Sequence, residues 1–178
     1  MSFTAIALLV GFAGGLLTWV ATRARRTSQR VLLSLVWLWA AGVVSLTFGT
    51  RSGGGRPINI ALLDVSNSAD IVDFLVNMAL FLPGGILFAA LGCRWFTAGL
   101  FGFLGSLAIE TAQYLVRWGR TADINDLLSN TAGCLVGFVG TAVVISVLGR
   151  STAPGGQRPH LGSQPQAPAP LSRPGARP

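Results

Sequence analysis

The chain has 178 residues, enough for one domain, and only 11% of them are charged, against roughly 25% in a soluble domain. Its hydrophobic fraction is 51% and its mean hydropathy +0.61, which excludes an ordinary water-soluble globule and points to a body dissolved in lipid. The net charge is +7, but all 13 basic residues are arginines set between apolar runs, which argues against a nucleic-acid partner and for topology signals.

A hydrocarbon core of about 30 Å is crossed by about 20 apolar residues in a helix. Five runs meet that length. Residues 3–22 and 31–49 are nearly free of charge. Residues 71–92 are apolar apart from Asp73 and Asn77, residues 96–116 apart from Glu110 and Gln113, and residues 127–148 apart from Asn130. Backbone groups in hydrocarbon must bond within their own segment, so each run is expected to be a helix. The fold class is therefore an all-α, polytopic helical membrane protein of about five transmembrane helices, with the lipid bilayer as its first partner.

The first run is preceded by "MSF" and followed by "RARRTSQR". Charge on the far side of the apolar core describes an uncleaved anchor rather than a secretory signal. With that loop in the cytoplasm, Arg23, Arg25, Arg26, Arg30, Arg94, Arg150 and Arg158 lie inside, and Arg51, Arg56, Arg117 and Arg120 lie outside. The bias predicts a multi-pass plasma-membrane protein with its N-terminus outside and its C-terminus cytoplasmic.

Residues 50–70 make the longest loop, in which "INIALL" would rest in the interface or cover the outer helix ends. Residues 1–149 form the transmembrane domain. Residues 150–178 are rich in Pro, Gly, Ser and Gln, cannot bury enough apolar surface to offset their ordering entropy, and are expected to be a disordered cytoplasmic tail.

Cys93 and Cys134 have no CxxC spacing, and the single histidine, His160, falls in the tail. Neither a disulfide framework nor a metal site is expected, no cofactor is implied, and a Ser-His-Asp or Cys-His mechanism lacks a base in the membrane body.

All six acidic residues lie between Asp64 and Asp126, at or near the outer ends of the helices in this topology. Asp73 and Asn77 share a face of the third helix, and Glu110 and Gln113 a face of the fourth. Asn77 lies about 9 Å below the start of its helix, Glu110 about 10 Å below Arg117, and Asn130 about 6 Å below Asp126, at about 1.5 Å per residue. Three helices thus bring polar side chains to one level. An intramembrane charge costs about 2.5–3.5 kcal/mol on insertion scales and faces a partner or a wet cavity.

The candidate binding cluster is Asp73, Asn77, Glu110, Gln113, Arg120, Asp123, Asp126 and Asn130. Each has a plainer reading beside it: Asp123 as the N-cap of the fifth helix, Asn77 and Asn130 as glue between helices, Arg120 as a surface partner of Asp123. Gly133 and Gly137, four apart, read as a close helix contact, with Gly84 beside Pro83 in "FLPGG". Pro83 would kink the third helix and open space near the fourth.

At these residues the chain resembles the VanZ-like family of bacterial membrane proteins. The resemblance covers about Asp73 to Gly137. Its first part is "DFLVNMALFLPGG"; its second, "ETAQYLVRWGRTADINDLLSNTAGCLVG", carries Glu110, Gln113, Arg120, Asp123, Asp126, Asn130, Gly133 and Gly137 in the family's spaced pattern. The family's Pro-Phe is missing from "RPINIALL". The family's founder is linked to resistance to the glycopeptide teicoplanin, so the resemblance implies a cell-envelope role and supplies no substrate.

Three functions follow as expectations. The leading one is a binding protein, not an enzyme, whose outward-facing polar pocket takes a lipid headgroup or a cell-wall precursor, with Arg120 at its mouth. The second is an enzyme acting on a lipid-linked substrate, its carboxylates serving as base or, through Asp73, Asp123 and Asp126, as ligands to a divalent metal. The third is proton- or cation-coupled transport.

Overall fold

The computed structural model describes residues 2–49, 58–116 and 122–151. It contains helices α1 (Phe3–Ala21), α2 (Thr27–Gly49), α3 (Ser68–Ala90), α4 (Trp95–Val116) and α5 (Ile124–Ser151), and two-residue strands β1 (Ile58–Asn59) and β2 (Ala122–Asp123). All five helices are long and apolar enough to cross a membrane. They match the five apolar runs, with the starts of α2, α3 and α5 moved outward by about a turn. The shift has a local cause at α3, where the Asn67 side chain caps the helix by accepting the Ala69 N–H at 3.1 Å. Helix α5 runs through Ser151, two residues into the segment expected as tail; residues 152–178 lie outside the described residues.

Helices α1 and α2 form an antiparallel hairpin. Gly11 lies against Ala41, Gly14 against the Trp37 ring, and Gly15 against Ser34, whose hydroxyl donates to the Gly15 carbonyl at 2.9 Å. The hairpin is closed by Arg30. Its guanidinium donates twice to the Trp19 carbonyl, at 2.8 and 3.2 Å, and lies 3.9 Å from the centre of the Trp19 ring. A cation thus meets the negative end of α1 and an aromatic face together.

Helices α3 and α5 make the closest contact, and they run parallel. A side chain at Gly133 would strike the Met78 carbonyl, and one at Gly137 the Leu82 carbonyl, so the register rises together along both helices. Gly85 answers from α3, backed on the Cys134 carbonyl. Without lipid-phase hydrophobic attraction between helices, backbone proximity of this kind is what packing has to offer. Helix α4 lies antiparallel to α5, with Gly102 against Cys134 and the Cys134 thiol donating to the Ala98 carbonyl at 3.2 Å. Cys93 and Cys134 are free thiols.

Trp39 ties the hairpin to the remaining helices. Its indole N–H donates to the Leu80 carbonyl at 3.0 Å, and its ring lies against Gly84, where a Cβ would collide with it. Phe81 and Phe88 meet the indole edge-on, at 5.8 and 6.5 Å between ring centroids. Pro83 sits inside α3 with its ring exposed. The space that does lie between α3 and α4 is walled by Phe81 and Phe88, not by the proline.

Strands β1 and β2 pair in parallel, Ile58 opposite Ala122 and Asn59 opposite Asp123. Both precede helices that leave the same end of the bundle, which dictates the parallel sense. The pairing lays the "INIALL" segment across the start of α5, where the Asn125 side-chain amide donates to the Ala61 carbonyl at 2.8 Å.

Candidate functional site

The site is built around the first turns of α5. A helix N-terminus leaves N–H groups without intrahelical partners. Asp123 meets one of them, its Oδ1 accepting the Asn125 backbone N–H at 2.8 Å and the Asn125 amide at 3.0 Å. Its Oδ2 accepts from the Asn59 amide at 2.8 Å. Asp123 is thus the N-cap and also the clasp to β1.

In a capping box, a Glu three residues into the helix reaches back to the N–H of the cap residue. Here that third position is Asp126, whose carboxylate instead takes a bond from α3. The N–H of Asp123 is taken by Glu110 on α4, whose Oε2 accepts it at 2.8 Å. Glu110 is buried, at 7% exposure, and the positive end of α5 favours an anion there.

Asp126 Oδ1 accepts from the Asn77 amide at 2.6 Å, joining α3 to α5. One turn deeper, the Asn130 amide donates to the Ser106 hydroxyl at 2.9 Å, joining α5 to α4. The Asp126 carbonyl accepts from the Ser129 hydroxyl at 3.1 Å. Asn130 is 4% exposed, and its Oδ1 has no hydrogen-bond partner among the described residues.

These side chains surround one cavity of about 310 Å³. Asn77, Glu110, Gln113, Asp126 and Asn130 line it, closed on the hairpin side by Leu46 and Thr47 of α2. Gln113 is 3% exposed. The matched depths of Asn77, Glu110 and Asn130 thus correspond to one shared space.

Asp73 is not part of it: the side chain is exposed and does not line the cavity. Four residues of helix advance about 400°, so Asp73 is offset from Asn77 by about 40° and stands about 6 Å nearer the helix end. Asp123 lies beside the cavity rather than in its wall. Arg120 lies outside the described residues. Among the described residues, no group of three or more His, Cys, Asp or Glu is placed to hold a metal ion, and Asp73, Asp123 and Asp126 do not form one.

Sequence reasoning overlooked Asn59, Ser106 and Asn125. Asn59 is the one polar residue between Pro57 and Asp64, and Ser106 follows "GLFGFLG" in the apolar run of α4; each stands out once its element is set beside α5.

The fold and this cavity define a multi-pass helical membrane protein with a polar chamber inside its bundle. The model of the VanZ/LLP1 family matches residues 31–145, and the chain belongs to that family. The match takes in α2 as well as the Asp73–Gly137 region, in keeping with the α2 side chains that close the cavity. No curated protein and no solved structure matched the chain.

Proposed function

We propose that the protein is a binding protein of the plasma membrane whose polar chamber takes the head of an envelope component, a lipid headgroup or a lipid-linked cell-wall precursor. The observation that carries this reading is the cavity itself: six polar side chains from four helices, Thr47 of α2 among them, converge on it within an apolar bundle. Helix glue alone needs pairs, such as Asn77 with Asp126. It does not need a space of about 310 Å³, which is at the lower end of ligand-pocket volumes (about 300–1,000 Å³).

The arginine bias puts the β1–β2 end of the bundle outside, so the chamber opens toward the outer leaflet. Arg120, three residues before Asp123 in the sequence, supplies the guanidinium that a phosphate on such a head calls for.

The test is native mass spectrometry of the full-length protein released from membranes. Wild type should retain an envelope lipid, and Asp126→Asn should lose it. A wild-type protein that retains none overturns the reading. The link to glycopeptide resistance is tested separately, by challenging a susceptible host expressing wild type, Glu110→Gln or Arg120→Ala with teicoplanin. Equal susceptibility of all three and of the empty host, at equal expression, removes it.

A further inference from the structure

A second cavity, of about 590 Å³, lies between α2, α3 and α4, and its walls are almost wholly apolar. Trp39, Val43, Phe81, Phe101 and Gly105 are among them. It abuts the polar chamber: Ile109 lines both, and on α2 Phe48 faces the groove while Thr47 faces the chamber. Along α4 the groove runs from Ala112, next to Gln113, down to Phe101. At about 1.5 Å per residue that is about 16 Å, close to half of a hydrocarbon core of about 30 Å.

We propose that groove and chamber are two halves of one site for a membrane lipid, with a hydrocarbon chain along α2 and α4 and its donor-bearing head in the chamber. The proposal rests on the headgroup reading above and deepens it. Three features carry it. The groove lies in a helix bundle that crosses the membrane, where the surrounding medium is acyl chain. It begins at the level of the polar residues and ends one leaflet deeper, which is the course of a chain whose head sits in the chamber. The chamber alone is sized for a head rather than for a whole lipid.

The chemistry of the head follows from the lining. Glu110 and Asp126 bring carboxylates, and the buried Asn130 Oδ1 is an acceptor with no partner among the described residues. An unmatched buried acceptor calls for a donor. The head therefore carries N–H or O–H groups, as an ammonium or as hydroxyls.

The experiment uses full-length protein in liposomes with three phospholipid probes, each bearing the same diazirine in mid-chain. Their heads are ethanolamine (ammonium donors), glycerol (hydroxyl donors) and choline (no donors). Cross-linked peptides are mapped by mass spectrometry. Labelling should concentrate on the α2 and α4 groove residues. The ethanolamine or the glycerol probe should exceed choline by about fivefold, the ratio that one hydrogen bond of about 1 kcal/mol gives. Ethanolamine in excess identifies the ammonium, glycerol the hydroxyls.

Gly105→Phe should cut groove labelling about tenfold, because a Cβ at Gly105 has only the Phe81 ring edge near it, at 3.9 Å, and the larger ring projects into the groove. Asn130→Leu should keep groove labelling and abolish the preference for a donor. Labelling spread equally over groove and outer helix faces overturns the proposal, as does groove labelling that ignores the head in wild type. Binding of free glycerophosphoethanolamine distinguishes the two failures. If it binds while the groove is unlabelled, the headgroup reading stands and the joined site falls; if it does not bind and no probe is preferred, both fall.

Discussion

The carboxylate of Glu110 on α4 accepts the backbone N–H of Asp123, the N-cap of α5, at 2.8 Å. A residue from a neighbouring helix thus completes the cap that α5 does not complete for itself. Glu110 therefore has a structural duty as well as a place in the chamber wall. Removing the acceptor leaves a part-buried N–H unpaired, which costs up to the about 1–3 kcal/mol of a fully buried one. Glu110→Ala is expected to lower the unfolding midpoint of the purified protein in detergent by that amount. Glu110→Gln keeps an oxygen in place and should lose less than half as much. Equal losses in the two variants would show that the N–H bond is not what Glu110 contributes.

The carbonyls of Met78 and Leu82 lie where side chains at Gly133 and Gly137 would stand. Gly133→Val and Gly137→Val should each force α3 and α5 apart, at about 1–3 kcal/mol or more, the usual cost of overpacking. Gly42→Ala and Gly140→Ala are the controls, since a Cβ at either meets nothing within 4 Å. They should be neutral or slightly stabilising, as expected where Ala replaces Gly in a helix. The measurement is thermal unfolding of all four in one detergent.

The five spans were legible because bilayer thickness and backbone satisfaction act on each segment separately. The run 96–116 and the helix Trp95–Val116 differ by one residue for that reason. The convergence of Asn77, Glu110 and Asn130 was legible from depth alone, since neighbouring helices share one membrane normal. What was not legible depends on rotation and register between helices. Asp73 shares a face with Asn77 by spacing, but a 40° offset at a helix end is enough to leave it exposed. The Glu110–Asp123 bond joins residues 13 apart on different elements, and the Asn59–Asp123 bond joins residues 64 apart through a two-residue strand. No local periodicity announces either of them. The apolar groove was likewise hidden, because Phe81, Phe101 and Gly105 read as ordinary span residues until α2 and α4 are placed side by side.

The Asn77 amide and the Asp126 carboxylate join α3 to α5 side chain to side chain, across the chamber wall. A double-mutant cycle of Asn77→Ala and Asp126→Ala should give a coupling of about 0.6–1.7 kcal/mol, the range for such pairs in lipid. Asp126→Asn should retain part of it, since an amide oxygen still accepts. Zero coupling would mean that the two residues act independently.

The parallel pairing of β1 with β2 places the connections before α3 and before α5 at one end of the bundle, and the α3–α4 turn at the other. Ser66 is exposed at the first end, and Arg94 lies in the turn at the second. The arginine bias predicts that the first end lies outside. In a Cys93→Ser background, with the fully buried Cys134 left in place, Ser66→Cys should react with a membrane-impermeant maleimide in intact cells. Arg94→Cys should react only after permeabilisation. The opposite pattern would turn the chamber toward the cytoplasm, and its ligand would then have to come from the inner leaflet.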